Sequence, residues 1–182
     1  MNIREYFKKM SGSTRGSPPR VSNEEIVWSW IGSFLGIAAV AWVSQLYFAG
    51  LDRTLLIGSF GASAVLAYGA VRSPLAQPRN LVGGHMLSAI IGVLCWKFLN
   101  QNMWLAESMA VATAIALMHA TRTLHPPGGA TALIAVIGSP AIHQMGFWYV
   151  LYPATVGPLI LLLVAVLVNN IPESRRYPEI WF

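Results

Sequence analysis

His125-Pro126-Pro127-Gly128-Gly129-Ala130-Thr131-Ala132 interrupts a long apolar stretch, and its reading decides the fold. Two consecutive prolines push the residues before them out of the α region, whereas proline is well suited to the first turn of a helix. Residues 124–127 are therefore expected to be extended, with a new helix starting at Pro127 or Gly128. As far as Ile137 that helix would rise only about 18 Å at 1.5 Å per residue. A hydrocarbon core is about 30 Å thick, so an extended lead would have to supply part of the crossing. Such backbone is tolerated at membrane depth only where protein or a water-filled cavity satisfies its polar groups.

The rest of the chain explains why membrane depth is the relevant scale. Of 182 residues, 55% are hydrophobic and only 10% charged, against about 25% charged in a typical soluble domain. Four segments, 26–48, 82–99, 104–121 and 146–169, are long enough to span. Two more, with short or broken helices at 55–71 and 126–138, are not; the former contains Gly58, Gly61 and Gly69. The expected fold is an all-α membrane protein of about six hydrophobic segments. The first run follows a long polar lead with no small-residue cleavage site at its end, so it reads as a retained span, not a signal peptide. The organisation is an N-terminal tail and linker over 1–24, a transmembrane domain over 25–171, and a C-terminal tail over 172–182. In the first tail Ile3, Phe7 and Met10 recur at helical spacing beside Arg4, Lys8 and Lys9. That pattern suits either a short amphipathic helix on an anionic leaflet or a solvated tail. Ser22-Asn23-Glu24-Glu25 is a capping-box signature that fixes the start of the first span. Cys95 is the only cysteine, so these residues make no disulfide among themselves.

The two short segments resemble each other. Gly61-Ala62-Ser63-Ala64-Val65-Leu66-Ala67 aligns with Gly129-Ala130-Thr131-Ala132-Leu133-Ile134-Ala135, and each is followed by a Ser-Pro pair, Ser73-Pro74 and Ser139-Pro140. An internal duplication is expected, giving two three-segment repeats; three being odd, the second copy is inverted. Six crossings with cytoplasmic termini place every Lys and Arg inside except Arg53 and Lys97. That distribution obeys the positive-inside rule, and the placement expected from it is a multi-pass membrane protein with both termini cytoplasmic.

Three constellations could carry function. At the His-Pro-Pro break, a helix start offers unpaired N–H groups and a positive dipole end, which together suit a small anion. With Gly61, Ala62 and Ser63 as the repeat mate of Gly129, Ala130 and Thr131, two broken-helix N-termini would face one midplane site bounded by His125 and Gly128, an arrangement that inverted-repeat transporters use. Second, Gln77, Arg79, Asn80 and His85 surround a loop stiffened by Pro74 and Pro78 and followed by Gly84, Ser88 and Gly92 at small-xxx-small spacing. Third, His119 and Arg122 lie one turn apart before the break. These six ionisable and amide groups are the expected access and selectivity residues. Deep carboxylates, which together with backbone carbonyls are what a cation site normally supplies, are scarce; Glu107 is either a first-turn acid complementing its helix dipole or a proton-coupling group. His85, His119, His125 and His143 lack metal-ligand spacing. No metal, cofactor, nucleic-acid partner or enzymatic activity is expected. The partners expected are a small inorganic anion, the lipid bilayer and, from Gly32 and Gly36 at GxxxG spacing, a second copy of the chain.

HPPGGATAL at 125–133 and SPLAQPRNLVGGH at 73–85 resemble the HPP family of membrane proteins, over roughly residues 28–169. The resemblance implies membrane transport of a small anion. Members in cyanobacteria and chloroplasts are implicated in nitrite transport, which makes nitrite the expected substrate and a bacterial, cyanobacterial-like plasma membrane the expected location. Some bacterial members carry cystathionine-synthase-type regulatory domains, and none is expected in these residues. The alternatives are a channel-like facilitator for a small neutral solute and a membrane scaffold without flux.

Overall fold

A computed structural model of the protein describes residues 3–10 and 19–182. The polar linker expected at 11–22 lies largely outside the described residues. All regular structure among the described residues is helical. Helix α1 (Ile3–Met10) turns a strongly amphipathic surface outward, so the helical reading of the first tail holds. Helix α2 (Asn23–Tyr47) starts where the capping box requires, with Ser22 accepting a hydrogen bond from the Glu25 N–H at 3.1 Å. Then come α3 (Gly50–Ala64), continued by a π-helical turn (Val65–Gly69), a short 3₁₀ turn (Pro74–Ala76), α4 (Pro78–Leu99), α5 (Met103–Ala120) and α6 (Pro126–Ile137). The short helices α7 (Pro140–Met145) and α8 (Trp148–Leu151) lead into α9 (Val156–Val168).

Four stretches, α2, α4, α5 and the α8–α9 pair, are long and apolar enough to cross a membrane. Two expectations about the segments change. The segment read as 55–71 begins at Gly50, because Asp52, which interrupts the apolar run, is buried and its two oxygens accept from the N–H and hydroxyl of Ser139. With its charge thus accommodated, α3 and the π turn form one helical stretch of about 30 Å at 1.5 Å per residue, and the chain is not broken at Gly61. The segment read as an uninterrupted span over 146–169 is broken instead: Pro153, which has no N–H to donate, separates α8 from α9, and the hydroxyl of Thr155 bonds the freed carbonyl of Val150 at 2.7 Å.

Contacts between remote residues define two faces. On one, here the tail face, Arg175 pairs with Glu25 at 2.7 Å, Arg72 donates to Ser174 O, and Arg79 donates to Thr121 O. On the far face, Asp52 holds Ser139, Trp96 stacks on His143, and Tyr47 and Phe48 pack on Tyr152. The chain passes between these faces six times, α6 and its extended lead making the fifth passage, so the start of α2 and residues 169–182 share a face.

Small residues determine how closely the helices approach. A Cβ at Gly92 would meet Ala132 O at 2.3 Å, and one at Gly84 would meet the Cβ of His125 at 2.5 Å. The Gly84–Ser88–Gly92 stripe of α4 thus receives α6 at backbone distance, as its spacing predicts. The Gly32/Gly36 stripe has a different partner from the one expected. It seats the ring of Tyr68, whose hydroxyl donates to Leu161 O at 2.9 Å. A GxxxG groove filled from within the chain does not serve as a contact for a second copy. Gly92→Val should therefore destabilise the protein by about 1–3 kcal/mol or more, the cost typical of overpacking. Gly61→Ala, with nothing within 4 Å of the new Cβ, should be neutral or stabilising by about 0.5–1 kcal/mol. Thermal unfolding in detergent micelles reads both; equal melting of wild type and Gly92→Val would contradict this packing.

Candidate functional site

The prolines that end the extended lead determine what the start of α6 can bind. Pro126 and Pro127 carry no N–H, and the Gly128 N–H is already bonded to His125 O at 2.8 Å. Residues 126–128 therefore offer no free backbone donors to an anion. Gly61 lies well inside α3, not at a helix start. The expectation of two helix N-termini facing a common anion site is corrected on both counts: one is spent on prolines and a cap, and the other is mid-helix.

What converges instead is a set of side chains. Ser63 (α3), His85 (α4), His125 (N-cap of α6) and Thr131 (α6) are all 0–2% exposed, and Ser59, one turn before Ser63, is buried beside them. His125 Nδ1 lies 2.8 Å from the carbonyl of Leu75, and its Nε2 lies 3.0 Å from the hydroxyl of Ser63. The same hydroxyl lies 2.7 Å from Nε2 of His85, whose Nδ1 is 2.6 Å from the hydroxyl of Thr131. Thr131 in turn lies 3.0 Å from Ser59, which also reaches Pro127 O at 3.2 Å.

Elementary accounting directs the protons between Thr131 and Leu75 O and leaves a choice only to Ser59. A carbonyl can only accept, so with neutral rings His125 carries its proton on Nδ1 and offers a lone pair at Nε2. Ser63 must donate its single proton there, and its oxygen then accepts the Nε2–H of His85. The Nδ1 of His85 is left as an acceptor for the Thr131 hydroxyl, and Ser59 donates to Thr131 or to Pro127 O. The result is a polarised relay from Ser59 to Leu75 O with no buried polar side-chain atom unsatisfied among the described residues. Interhelical side-chain hydrogen bonds in membrane proteins contribute about 0.6 kcal/mol each on average. Stability is therefore a weak reason for five polar groups at the centre of the bundle, and intramembrane ionisable residues are read as functional by default.

The aligned motifs meet at this relay. Ser63 and Thr131 hold matching positions in the two seven-residue stretches and flank His85 on its two nitrogens, and the oxygen of each lies at 3.3 and 3.5 Å from the carbonyl four residues before it, a longer contact that shares the proton already given to the relay. Gly61 and Gly129 are both half-buried, while Ala62 and Ala130 both face outward. Ser73 and Ser139 likewise cap the turns that follow, accepting from Leu75 N and Ala141 N, with proline next in each case.

The residues expected to control access divide. Gln77, Arg79, Asn80 and Arg122 do line one cavity of about 160 Å³ on the tail face, together with Pro74 and residues 180–182. Asn80 fastens the extended lead by donating to Leu124 O at 2.9 Å. Arg122 has φ 57°, a left-handed conformation uncommon for a residue with a side chain, and it ends the run between α5 and the lead. His85 belongs to the buried relay, not to the cavity. His119 sits on the exposed outer surface of α5 and lines none of the cavity. Sequence reading missed Ser59, the Leu75 carbonyl and Tyr149, whose hydroxyl donates to Thr131 O at 3.0 Å. Ser59 alone carried a signal, standing one turn before Ser63 and opposite Pro127 in the alignment. Among the described residues no three His, Cys, Asp or Glu side chains come together as metal ligands would.

Comparison with known proteins adds the following. The family described as "HPP, transmembrane region" matches residues 18–178. Two transmembrane proteins of Dictyostelium discoideum are similar, one 45% identical over 98% of this chain and the other 44% identical over 100% of it. These alignments cover 58% and 65% of the relatives' own lengths, so the chain spans about three fifths of each. No solved structure matches. The family match covers both motifs and every helix from α2 to α9, and the chain belongs to the HPP transmembrane family.

Proposed function

We infer that the protein moves a small monovalent anion across a membrane, and that nitrite, the anion suggested by the resemblance of the two motifs, is its substrate. The observation that carries this reading is the directed relay, which ends in an N–H donor at His125 bonded to the carbonyl of Leu75, in the same loop that, through Pro74 and Gln77, lines a cavity with Arg79 and Arg122. Both ends of such a path favour negative charge. Arg79 and Arg122 draw an anion from water and can hold its two oxygens in bidentate fashion, and His125 Nδ1–H is the next donor inward. Leu75 O occupies that donor in the closed state. An anion takes its place when the loop over 73–77 lifts, which makes the loop the gate.

The gate is held by identifiable bonds. Gln77 Nε2 donates to Val71 O and Ser73 O, its Oε1 accepts from the backbone of Glu179 and Ile180, and the Tyr177 hydroxyl donates to Ala76 O. Gln77 therefore acts as a latch, not as a ligand. The matched contacts of Ser63 and Thr131 favour an inverted duplication in which each half supplies one hydroxyl to the central histidine. The charge distribution favours a cytoplasmic tail face. A neutral-solute facilitator has no use for the guanidinium pair, and a scaffold has none for the relay.

Flux through purified protein in liposomes tests the reading. Nitrite should cross faster than in protein-free vesicles, and His125→Ala should reduce the rate by about tenfold or more, since a hydrogen bond to a charged group contributes about 1.5–3 kcal/mol. Absence of anion flux in folded wild type, or wild-type flux in His125→Ala, would refute it. Arg79→Gln should raise the half-saturating nitrite concentration by about threefold through loss of steering, an effect that added salt shrinks; an unchanged half-saturation would remove Arg79 from the path. For sidedness, Gln101→Cys and Glu173→Cys in a Cys95→Ala background separate the faces. An impermeant thiol reagent added to intact cells should label the first and spare the second, and the reverse pattern would overturn the cytoplasmic assignment.

A further inference from the structure

The far face has a cavity of its own, about 240 Å³, and its walls carry a charge the sequence reading used only for topology. Lys97, in the last turn of α4, and Asn100, just beyond it, line this cavity with Trp96 and His143, while Val93 and Ala135 lie deepest along their helices. None of the lining residues is a carboxylate. Among the described residues the Lys97 ammonium has no acidic partner; its neighbour is the ring of Phe147, 5.2 Å away. Asp52, also on this face, has both oxygens engaged by Ser139.

We propose that this cavity is a second binding site for a small inorganic anion, with the Lys97 ammonium and the Asn100 amide N–H groups as its donors. The geometry assigns different roles to the two aromatic walls. The Trp96 and His143 rings stack at 3.5 Å, and His143 Nε2 is 3.0 Å from Val136 O. Since that carbonyl only accepts, Nε2 donates a proton to it. Stacked on one side and hydrogen-bonded at Nε2, His143 is a fixed wall, and the donors assigned to the anion are Lys97 and Asn100. Asn100 receives the Gln101 amide on its oxygen at 3.1 Å, which leaves its own N–H groups for a ligand.

The depth of the cavity connects it to the relay. At 1.5 Å per residue, Ala135 lies about 6 Å beyond Thr131 along α6 and Val93 about 12 Å beyond His85 along α4. A cationic vestibule on each face with the histidine relay between them is the layout of a two-ended anion path. This extension to a path rests on the transport reading; occupancy of the site by an anion does not.

Charged thiol reagents at position 143, a wall position outside the donor set, test the proposal in purified protein. With His143→Cys in a Cys95→Ala background, the ratio of labelling rates for an anionic over a cationic methanethiosulfonate should exceed that of the same protein with Lys97→Met by about fivefold. Millimolar nitrite should slow labelling in the Lys97 protein and not in Lys97→Met. Equal rate ratios with and without Lys97, no protection by nitrite in the Lys97 protein, or protection by an anionic phospholipid but not by nitrite would overturn the site. In liposomes, Lys97→Met should raise half-saturation only for nitrite supplied at the far face. Charge-selective labelling and protection without any nitrite flux would leave this site standing and remove the transport reading.

Discussion

The hydrogen-bond chain from Ser59 to the carbonyl of Leu75 is the constraint on which the rest of the structure depends. A lipid bilayer offers no water to correct an unpaired group, so each member fixes the rotation and depth of the helix that carries it. Ser59 and Ser63 orient α3, His85 orients α4, and Thr131 and His125 orient α6. Removing any one member leaves a buried neighbour without a partner, at a cost of about 1–3 kcal/mol. Glycine at 84, 92 and 128 follows from the same requirement. Side chains there would separate α4 from α6 and lengthen bonds that now measure 2.6–3.0 Å.

The His-Pro-Pro sequence has a specific physical purpose in this arrangement. His125 needs extended backbone to reach both Ser63 and Leu75, and Pro126, the residue after it, holds it in that conformation. Pro126 and Pro127 together remove two N–H groups that a helix start at this depth would otherwise leave unpaired. The break is therefore electrostatically quiet on its backbone, and the polar chemistry moves to the imidazole. The loop that supplies Leu75 O is bonded to residues 177–180, so the position of the C-terminal segment is mechanically linked to the buried relay.

Much of this was legible in the sequence. The capping box fixed α2, and the small-residue spacing of Gly84, Ser88 and Gly92 identified the closest helix contact. The repeated Gly-Ala-Ser/Thr stretches identified the two segments that meet at the centre. The failures have physical causes. Asp52 looked like the boundary of a span because its hydrogen-bond partner, Ser139, is 87 residues away. Gly32 and Gly36 looked like an oligomer contact because the ring they seat belongs to a π-helical turn that local sequence does not announce. His119 and Arg122 lay one turn apart, yet one faces outward from α5 and the other stands beyond its C-cap, Thr121, where the left-handed backbone at Arg122 turns the chain into the lead. The glycines and helix starts drew attention as anion ligands, whereas proline chemistry and capping had already used those donors.

The central claim is that the relay is polarised and that its terminal donor is where an anion binds. Nitrogen-15 NMR of histidine-labelled protein in lipid nanodiscs, with resonances assigned through single histidine replacements, reads both directly. The account predicts that His125 carries its proton on Nδ1 and His85 on Nε2, and that saturating nitrite shifts the Nδ1 resonance of His125. A proton on Nε2 of His125, or a His125 spectrum that nitrite leaves unchanged, would contradict it.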